Sequence, residues 1–276
     1  MPVSRRSSRS RSHSRSRPLL PPKPSPPAQS QSPIDIIYVY WPLLFMLLTI
    51  ISVILLPLKE EKGIILQPSD DDSVGAFLRS PVLSLCIALC GGGLWWMNGK
   101  DVIGNTERMA MIWHLTNATW WSFGCDSLSG LFHLTPRMRK LYLILDSKHG
   151  VNFSDQARRA AWNPERATLD SVYWAETTVH VPLSWLAFYM YGTRHPSRYL
   201  VEAFLGGVQF VGCFGYYGPE VLAYLHGFET SWPANRVIWW LGVGCVPLVW
   251  CALPIALTVR AVLKGGGGGR GKRKKL

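Results

Sequence analysis

Long apolar blocks separated by short polar stretches restrict the fold of this chain more than any other feature. A helix needs about 17 to 25 apolar residues to cross the hydrocarbon core of a bilayer. Blocks of about that length occur at 34–57, 77–98, 108–134, 168–193, 198–225 and 236–263. The third block is rich in Gly, Ser, Thr and Trp and the fifth in Gly, and small residues of this kind are typical of helices that pack on other helices. The sequence therefore predicts an all-α, polytopic membrane helix bundle.

The basic residues are concentrated at the two ends of the chain. The net charge of +12 comes mainly from an Arg/Ser/Pro tail at 1–33 and a Gly-rich basic tail at 264–276. The first tail has too few apolar residues to fold and is predicted to be disordered, and the second is predicted to be flexible. A basic tail joined to a membrane span favours contact with anionic lipid, or phosphorylation, over RNA binding. No nucleic-acid partner is therefore expected.

The distribution of basic residues also predicts the orientation of the chain. Both ends are expected to be cytoplasmic, which requires an even number of spans, and six satisfies that condition. The loop at 134–168 does not fit, because it would be lumenal yet contains Arg137, Arg139 and Lys140. An interfacial helix is the explanation that remains open for this loop. Lys272 and Lys274 form a dilysine-like tip, which is compatible with residence in the endoplasmic reticulum membrane.

Nothing in the sequence points to a metal or a cofactor, and none is expected. Nucleotide, zinc-protease and serine-hydrolase motifs such as the P-loop, HExxH and GxSxG are missing. The cysteines all lie in apolar blocks, where buried thiols that act as small apolar side chains are the favoured interpretation. They are Cys86, Cys90, Cys125, Cys213, Cys245 and Cys251. Cofactor-free proton chemistry and ligand binding remain as functions.

Ionisable residues inside the predicted spans are the first candidates for such a function. Asp126, Glu176, His180 and Glu220 have this position. An ionisable side chain at the centre of a membrane helix costs about 2.5 to 3.5 kcal/mol and is usually functional. Glu176 and His180 are four residues apart, so they project from one helix face and can share a proton. The alternative is a buried Glu–His hydrogen bond that only fixes helix packing.

Two other groups in the spans allow more than one interpretation. Asp126 is either part of the chemistry or a structural acid whose hydrogen-bond partner is Ser122 or Ser129. Trp250 lies mid-helix in VPLVWCALP and is predicted to wall an apolar pocket, where its ring stabilises a cation.

The histidines nearer the ends of the third span are not expected to take part in the function. These are His114 and His133, and both are predicted to be interfacial.

The segment HPSRYLVEAFLGGVQFVGCFGYYGPE carries a set of residues in a fixed order. These residues are His195, Pro196, Arg198, Gln209, Gly212, Tyr216 and Glu220. Their ungapped spacing resembles that of the emopamil-binding protein family, the sterol Δ8–Δ7 isomerases, within the wider group of EXPERA membrane domains. Pro182 in VPLSW, and Trp250 four residues before Pro254, resemble further positions of the family. The resemblance extends from about residue 108 onward.

The resemblance implies a five-helix bundle in the endoplasmic reticulum membrane that encloses a sterol. On this basis 77–263 is an EXPERA-like domain and 34–57 is an extra N-terminal transmembrane helix. The family moves a ring double bond by protonating one carbon and deprotonating another, without a cofactor. Glu176 and Asp126 are then the expected proton donor and acceptor, with His180 tuning or relaying the proton.

The same resemblance implies a set of ligand-binding residues and a partner. The residues are Trp250, Tyr173, Thr177, Gln209, Tyr216 and Glu220. The expected partner is a sterol or isoprenoid lipid, and a homodimer remains open.

The chain departs from the family at the positions of its acid and base residues. The His-x-x-x-Glu pair of the family's second helix falls on Cys125 and Ser129, and its third-helix glutamate falls on Tyr173, three residues before Glu176. A polar Asn of the last helix is Pro247. A sterol isomerase is therefore the leading expectation, and a non-catalytic sterol- or lipid-binding protein with the same fold is the alternative.

Overall fold

A computed structural model of the protein describes residues 32–55, 71–100, 104–145, 164–228, 230, 244 and 248–267. The described residues from Pro33 onward belong to one compact unit. The predicted disorder of the first tail lies outside them, as do the dilysine-like tip, Cys245 and Pro247.

The described part of the chain is helical and contains no strand. Its α-helices are α1 (Pro33–Leu55), α2 (Val74–Leu78), α3 (Pro81–Asn98), α4 (Asn105–Thr116), α5 (Pro136–Leu145), α6 (Pro164–Ala175), α7 (Val181–Gly192), α8 (Arg198–Leu225) and α9 (Leu253–Gly267). Three segments are π-helical: π1 (Asn117–Leu131) continues α4, π2 (Glu176–His180) joins α6 to α7, and π3 (Leu248–Ala252) leads into α9. The predicted all-α class is confirmed.

Four of the helical stretches are long and apolar enough to cross a membrane. They are Pro33–Leu55, Val74–Asn98, Arg198–Leu225 and Leu248–Gly265. The predicted spans 108–134 and 168–193 also form continuous helical stretches, at 105–131 and 164–192, but they are outside this set. In the stretch at 105–131, most of the polar residues are buried, since α4 and π1 are buried along most of their length. This architecture supports a polytopic helical membrane bundle.

Prolines explain two of the three π-helical segments. Pro182 follows π2 and Pro254 follows π3, each two residues after the segment ends. A proline has no N–H and its ring clashes with the carbonyl four residues earlier, so the preceding turn widens. The Trp250 carbonyl, which Pro254 cannot bond, accepts a hydrogen bond from the Cys213 thiol at 3.5 Å. The widened turns therefore change the partners of residues that the sequence singles out.

Hydroxyl groups stabilise the longer segment π1. The Ser127 hydroxyl donates to the Ser122 carbonyl at 2.6 Å, and the Ser129 hydroxyl donates to the Gly124 carbonyl at 2.7 Å. Both bonds reach back five residues, which is the spacing of a π-helix. Side chains in π1 therefore do not repeat with the 3.6-residue period of an α-helix.

Helix packing brings the middle of the bundle together. α1 packs on α4, α4 on α7, and α8 on α9, while π1 contacts both α3 and π2. α8 and α9 meet most closely at Gly206, where a Cβ atom would lie 2.1 Å from Thr258 Oγ1 and 2.9 Å from the Pro254 carbonyl. Only a residue without a side chain permits this approach.

The adjacent glycines Gly206 and Gly207 provide a matched test of this contact. We expect Gly206→Ala to destabilise the protein by about 1–3 kcal/mol, because the added methyl group overpacks the α8–α9 contact. Gly207→Ala is the control, since a Cβ at that position meets no atom within 4 Å and alanine favours the helix. Unfolding in detergent, followed by circular dichroism, measures both variants. Equal stability of the two variants would contradict the proposed contact.

The basic residues that did not fit the predicted orientation make specific contacts. Arg137 donates hydrogen bonds to the carbonyls of Val53 at 2.7 Å and Ile54 at 3.2 Å, at the C-terminal end of α1. Lys140 Nζ lies 2.6 Å from Asp72 Oδ2. A guanidinium at this position satisfies carbonyls that have no helical partner and complements the helix dipole. Arg137 and Lys140 therefore hold α5 against its neighbours. This packing role explains why basic residues lie here without contradicting the predicted orientation.

Candidate active site

Glu176 and His180 meet within π2, as their spacing predicts. Glu176 Oε2 lies 2.8 Å from His180 Nδ1, and Ser122 Oγ of π1 lies 2.6 Å from the same nitrogen. His180 is buried, and Glu176 is mostly buried. Because the carboxylate faces Nδ1, the tautomer with its hydrogen on Nδ1 is favoured, and Nε2 is then an acceptor.

Asp126 has a different partner from the two that the sequence suggested. It accepts a hydrogen bond from the Tyr142 hydroxyl of α5 at 2.9 Å. Ser122 instead contacts His180, and Ser129 bonds to the Gly124 carbonyl and to Thr135. The expectation of Ser122 or Ser129 as partner was wrong because the five-residue period of π1 turns these hydroxyls elsewhere.

Asp126 lies on π1 and Glu176 lies on π2, and these two segments pack against each other. Two neighbouring carboxylates repel each other when both are ionised, so one protonated and one ionised group is the favoured combination. Such a pair offers a proton donor and a proton acceptor in one place. Within the described ranges, no three His, Cys, Asp or Glu side chains are grouped as metal ligands would be.

Trp250 belongs to an aromatic cluster contributed by several helices. Its ring lies 4.6 Å from Trp121, 5.6 Å from Phe45 and 5.7 Å from Trp113, measured between ring centroids. Its carbonyl accepts a hydrogen bond from the Cys213 thiol of α8. The cluster therefore joins π3 to π1 through Trp121, and α1 contributes to it through Phe45.

Tyr173 and Thr177 lie at the contact between π1 and the α6–π2 stretch. The Tyr173 ring packs on Gly130, where a Cβ atom would lie 2.7 Å from the ring. The Thr177 hydroxyl lies 2.7 Å from Ser127 Oγ and 2.7 Å from the Tyr173 carbonyl. Both residues hold the two stretches together and so position Glu176.

The family-like residues of α8 lie at different levels of the bundle. Gln209 is buried, and its Nε2 has no hydrogen-bond partner among the described residues. Glu220 is buried about two turns beyond Cys213, and Tyr216 makes an edge-on contact with Tyr217 at 4.7 Å.

A second buried polar group, here called the Glu202 cluster, consists of Glu202, Tyr191, Arg260 and His114. The Tyr191 hydroxyl donates to Glu202, Arg260 donates to the same carboxylate at 3.2 Å, and His114 Nε2 lies 3.8 Å from it. His114 is only 3% exposed, so the expectation of an interfacial histidine was wrong. The sequence analysis missed this cluster, although Glu202 and Arg260 are oppositely charged residues inside two apolar blocks. Two such charges indicate a buried ion pair.

A comparison with protein families agrees with the resemblance. Residues 134–261 match the EBP family model, which is described as EXPERA, the expanded EBP superfamily. The match covers just under half of the chain and supports membership of the emopamil-binding protein superfamily. Glu176, His180, Gln209 and Trp250 lie inside the matched range, whereas Asp126 precedes it. A comparison with curated proteins finds no match.

Proposed function

We propose that the protein is a double-bond isomerase that acts on a sterol or a related polycyclic isoprenoid in the endoplasmic reticulum membrane. The observation that carries this proposal is the buried contact of His180 Nδ1 with Glu176 at 2.8 Å and with Ser122 at 2.6 Å. Ser122 belongs to π1, which also carries Asp126 and packs on π2. The family match supports the same class of protein.

The reaction needs only proton transfer between placed side chains. The protonated carboxylic acid of the pair donates its proton to one carbon of a ring double bond, which leaves a carbocation on the neighbouring carbon. The ionised carboxylate then removes a proton from an adjacent carbon, and the double bond forms at its new position. Trp250 stabilises the cation through its ring face. His180 tunes Glu176 or passes its proton on, so that the pair returns to its starting state.

A non-catalytic sterol- or lipid-binding protein is the second candidate. Cys125 and Ser129 stand where the family has its histidine and glutamate, and Asp126 is engaged by Tyr142. In that case Asp126 only stabilises the packing of π1 on α5 through Tyr142. The same site then binds an apolar ligand without changing it.

The two candidates differ in one measurable product. We expect membranes that contain the protein to convert a Δ8-sterol to its Δ7 isomer in deuterated water, with one deuterium incorporated from the solvent. Mass spectrometry of the recovered sterol measures this, with membranes lacking the protein as the control. Recovery of unlabelled Δ8-sterol would reject this isomerase activity and leave the binding function.

The charge distribution supports the proposed orientation. One end of the bundle carries the cations Lys100, Arg108, Arg194 and Lys264, each close to the end of a helical stretch. Positive residues near the ends of spans favour the cytoplasmic side. Both termini are then cytoplasmic, as the sequence predicts.

A further inference from the structure

An apolar groove, here called the α3–α7 groove, lies on the outer surface of the bundle between these two helices. Its volume is about 370 Å³. α3 lines it mainly with small residues and α7 with aromatic rings: Ala88, Gly92 and Gly93 on one side, and Trp185, Phe188 and Tyr189 on the other. Gly92 and Tyr189 are exposed, and α3 belongs to a stretch that is long and apolar enough to cross a membrane. The groove therefore opens towards the lipid, and none of these residues belongs to the candidate active site.

Trp96 of α3 closes one end of the groove. Its ring centroid lies 5.1 Å from that of Phe188 and 6.1 Å from that of Tyr189, and the rings of Trp96 and Tyr189 are nearly parallel. A Cβ atom on Gly192 would overlap the Trp96 ring, so the ring lies directly against the backbone of α7. Contacts with α7 therefore fix the position of Trp96.

Positive charge gathers at the end of the groove that Trp96 closes. Lys100 lies two residues beyond the end of α3, and its Nζ is 4.5 Å from the centroid of the Trp96 ring. Lys100 has no carboxylate partner among the described residues. Arg194, an exposed residue two positions after Gly192, adds a second cation near this end. A ring face attracts an ammonium group but does not neutralise it, so an anion complements this end of the groove.

The groove and its charged end match the two parts of an anionic membrane lipid. The lining extends from Trp96 to Ala88, about 12 Å along the axis of α3, and offers an acyl chain only apolar contacts. Lys100 follows the apolar stretch that ends at Asn98, so its ammonium group lies where lipid phosphates do. An apolar helix of a second copy would fill the groove but would leave this cation without a counter-ion.

We propose that the α3–α7 groove holds one acyl chain of an anionic glycerophospholipid, whose phosphate group pairs with Lys100. Hydrocarbon contacts alone give little preference, because the surrounding lipid chains are as apolar as the groove. Selectivity therefore comes from the headgroup: the charge of an anionic lipid remains available to Lys100, whereas a zwitterionic lipid carries its own cation.

Lipid binding to the purified full-length protein in a neutral detergent tests the headgroup preference. The probes are dioleoylphosphatidylglycerol and dioleoylphosphatidylcholine, which share their acyl chains, and native mass spectrometry counts the lipids that stay bound. We expect the wild type to bind phosphatidylglycerol about tenfold more tightly than phosphatidylcholine. Lys100→Gln should reduce this preference to about twofold. Lys264→Gln is the matched control, because Lys264 also lies near an aromatic ring, that of Tyr199, but at the end of α9.

Adjacent glycines test the groove itself. A Cβ atom on Gly91 or on Gly92 meets no atom within 4 Å, so leucine at either position is compatible with the fold, but only Gly92 lines the groove. We expect Gly92→Leu to weaken binding of both lipids at least fivefold, because its side chain takes the place of the acyl chain. Gly91→Leu should bind them as the wild type does.

The outcomes do not depend on sterol conversion, so the lipid site and the proposed function stand or fall separately. Equal affinity of the wild type for the two lipids would overturn the site. Equal effects of Lys100→Gln and Lys264→Gln would also overturn it, because the preference would then reflect the overall charge of this end. A dimer that dissociates in Gly92→Leu, with lipid binding unchanged, would replace the lipid with a second copy of the chain.

Discussion

The substitution Glu176→Gln is expected to lower the rate of Δ8-to-Δ7 conversion by about 10²–10⁴-fold, the usual contribution of a placed acid or base. Glutamine keeps the size of the side chain and its position in π2. It cannot exchange a proton at neutral pH, and it removes the negative charge that faces His180 Nδ1 at 2.8 Å. The substitution therefore leaves the carboxylate pair with one group fewer that can take up or release a proton. It also disturbs the tautomer of His180.

Deuterium incorporation into the Δ7 product measures this loss directly. Glu107→Gln is a matched control, because Glu107 is also a mostly buried glutamate but lies on α4, bonded to Tyr199 and Arg198. We expect the control to retain the wild-type rate per folded molecule. Thermal unfolding of each variant measures the folded fraction that this comparison requires. A Glu176→Gln variant that retained more than half of the wild-type rate would remove Glu176 from the proton-transferring residues.

The sequence predicted the helices well because their determinants are local. The span 198–225 is reproduced without change as Arg198–Leu225, since its apolar residues recur along its whole length despite Glu202 and Glu220. The span 77–98 is instead split into α2 and α3, because Ser80 caps a new helix that begins at Pro81. A proline is favourable at the first position of a helix and cannot bond to the preceding one.

The partners of the site residues could not be predicted in the same way. The spacing of Glu176 and His180 is local, and their contact follows from it. Asp126 meets Tyr142 across a turn and a change of helix, and Ser122 reaches His180 through the five-residue period of π1. Periodicity arguments assume 3.6 residues per turn, so they assign π-helical side chains to the wrong faces.

The sequence also could not predict that α1 contributes to the site. An added apolar helix predicts one more span, but nothing in its composition indicates where it packs. In the structure, Phe45 of α1 contacts Trp121 at 5.2 Å and Trp250 at 5.6 Å. The helix outside the family-like region therefore completes the aromatic cluster around Trp250.

The Glu202 cluster leads to the second large expected effect, on stability. We expect Glu202→Gln to destabilise the fold by about 3–5 kcal/mol, because it leaves the Arg260 guanidinium largely buried without its countercharge. Arg260 is only 15% exposed at its side chain, and Glu202 only 1%. The substitution also changes the acceptor of the Tyr191 hydroxyl. Reversible unfolding in mixed micelles measures the free energy of each variant.

A double-mutant cycle distinguishes a true pair from a general loss of packing. Arg260→Met removes the cation but keeps an apolar side chain of similar length, so the double variant no longer contains an unpaired guanidinium. We expect it to be more stable than Glu202→Gln alone, with a coupling energy of about 2–3 kcal/mol. Additive losses would contradict the pairing. Because Glu202 lies on α8 and Arg260 on α9, such a pair fixes the register of α8 against α9 at the end of the bundle where Tyr191 bonds to the same carboxylate.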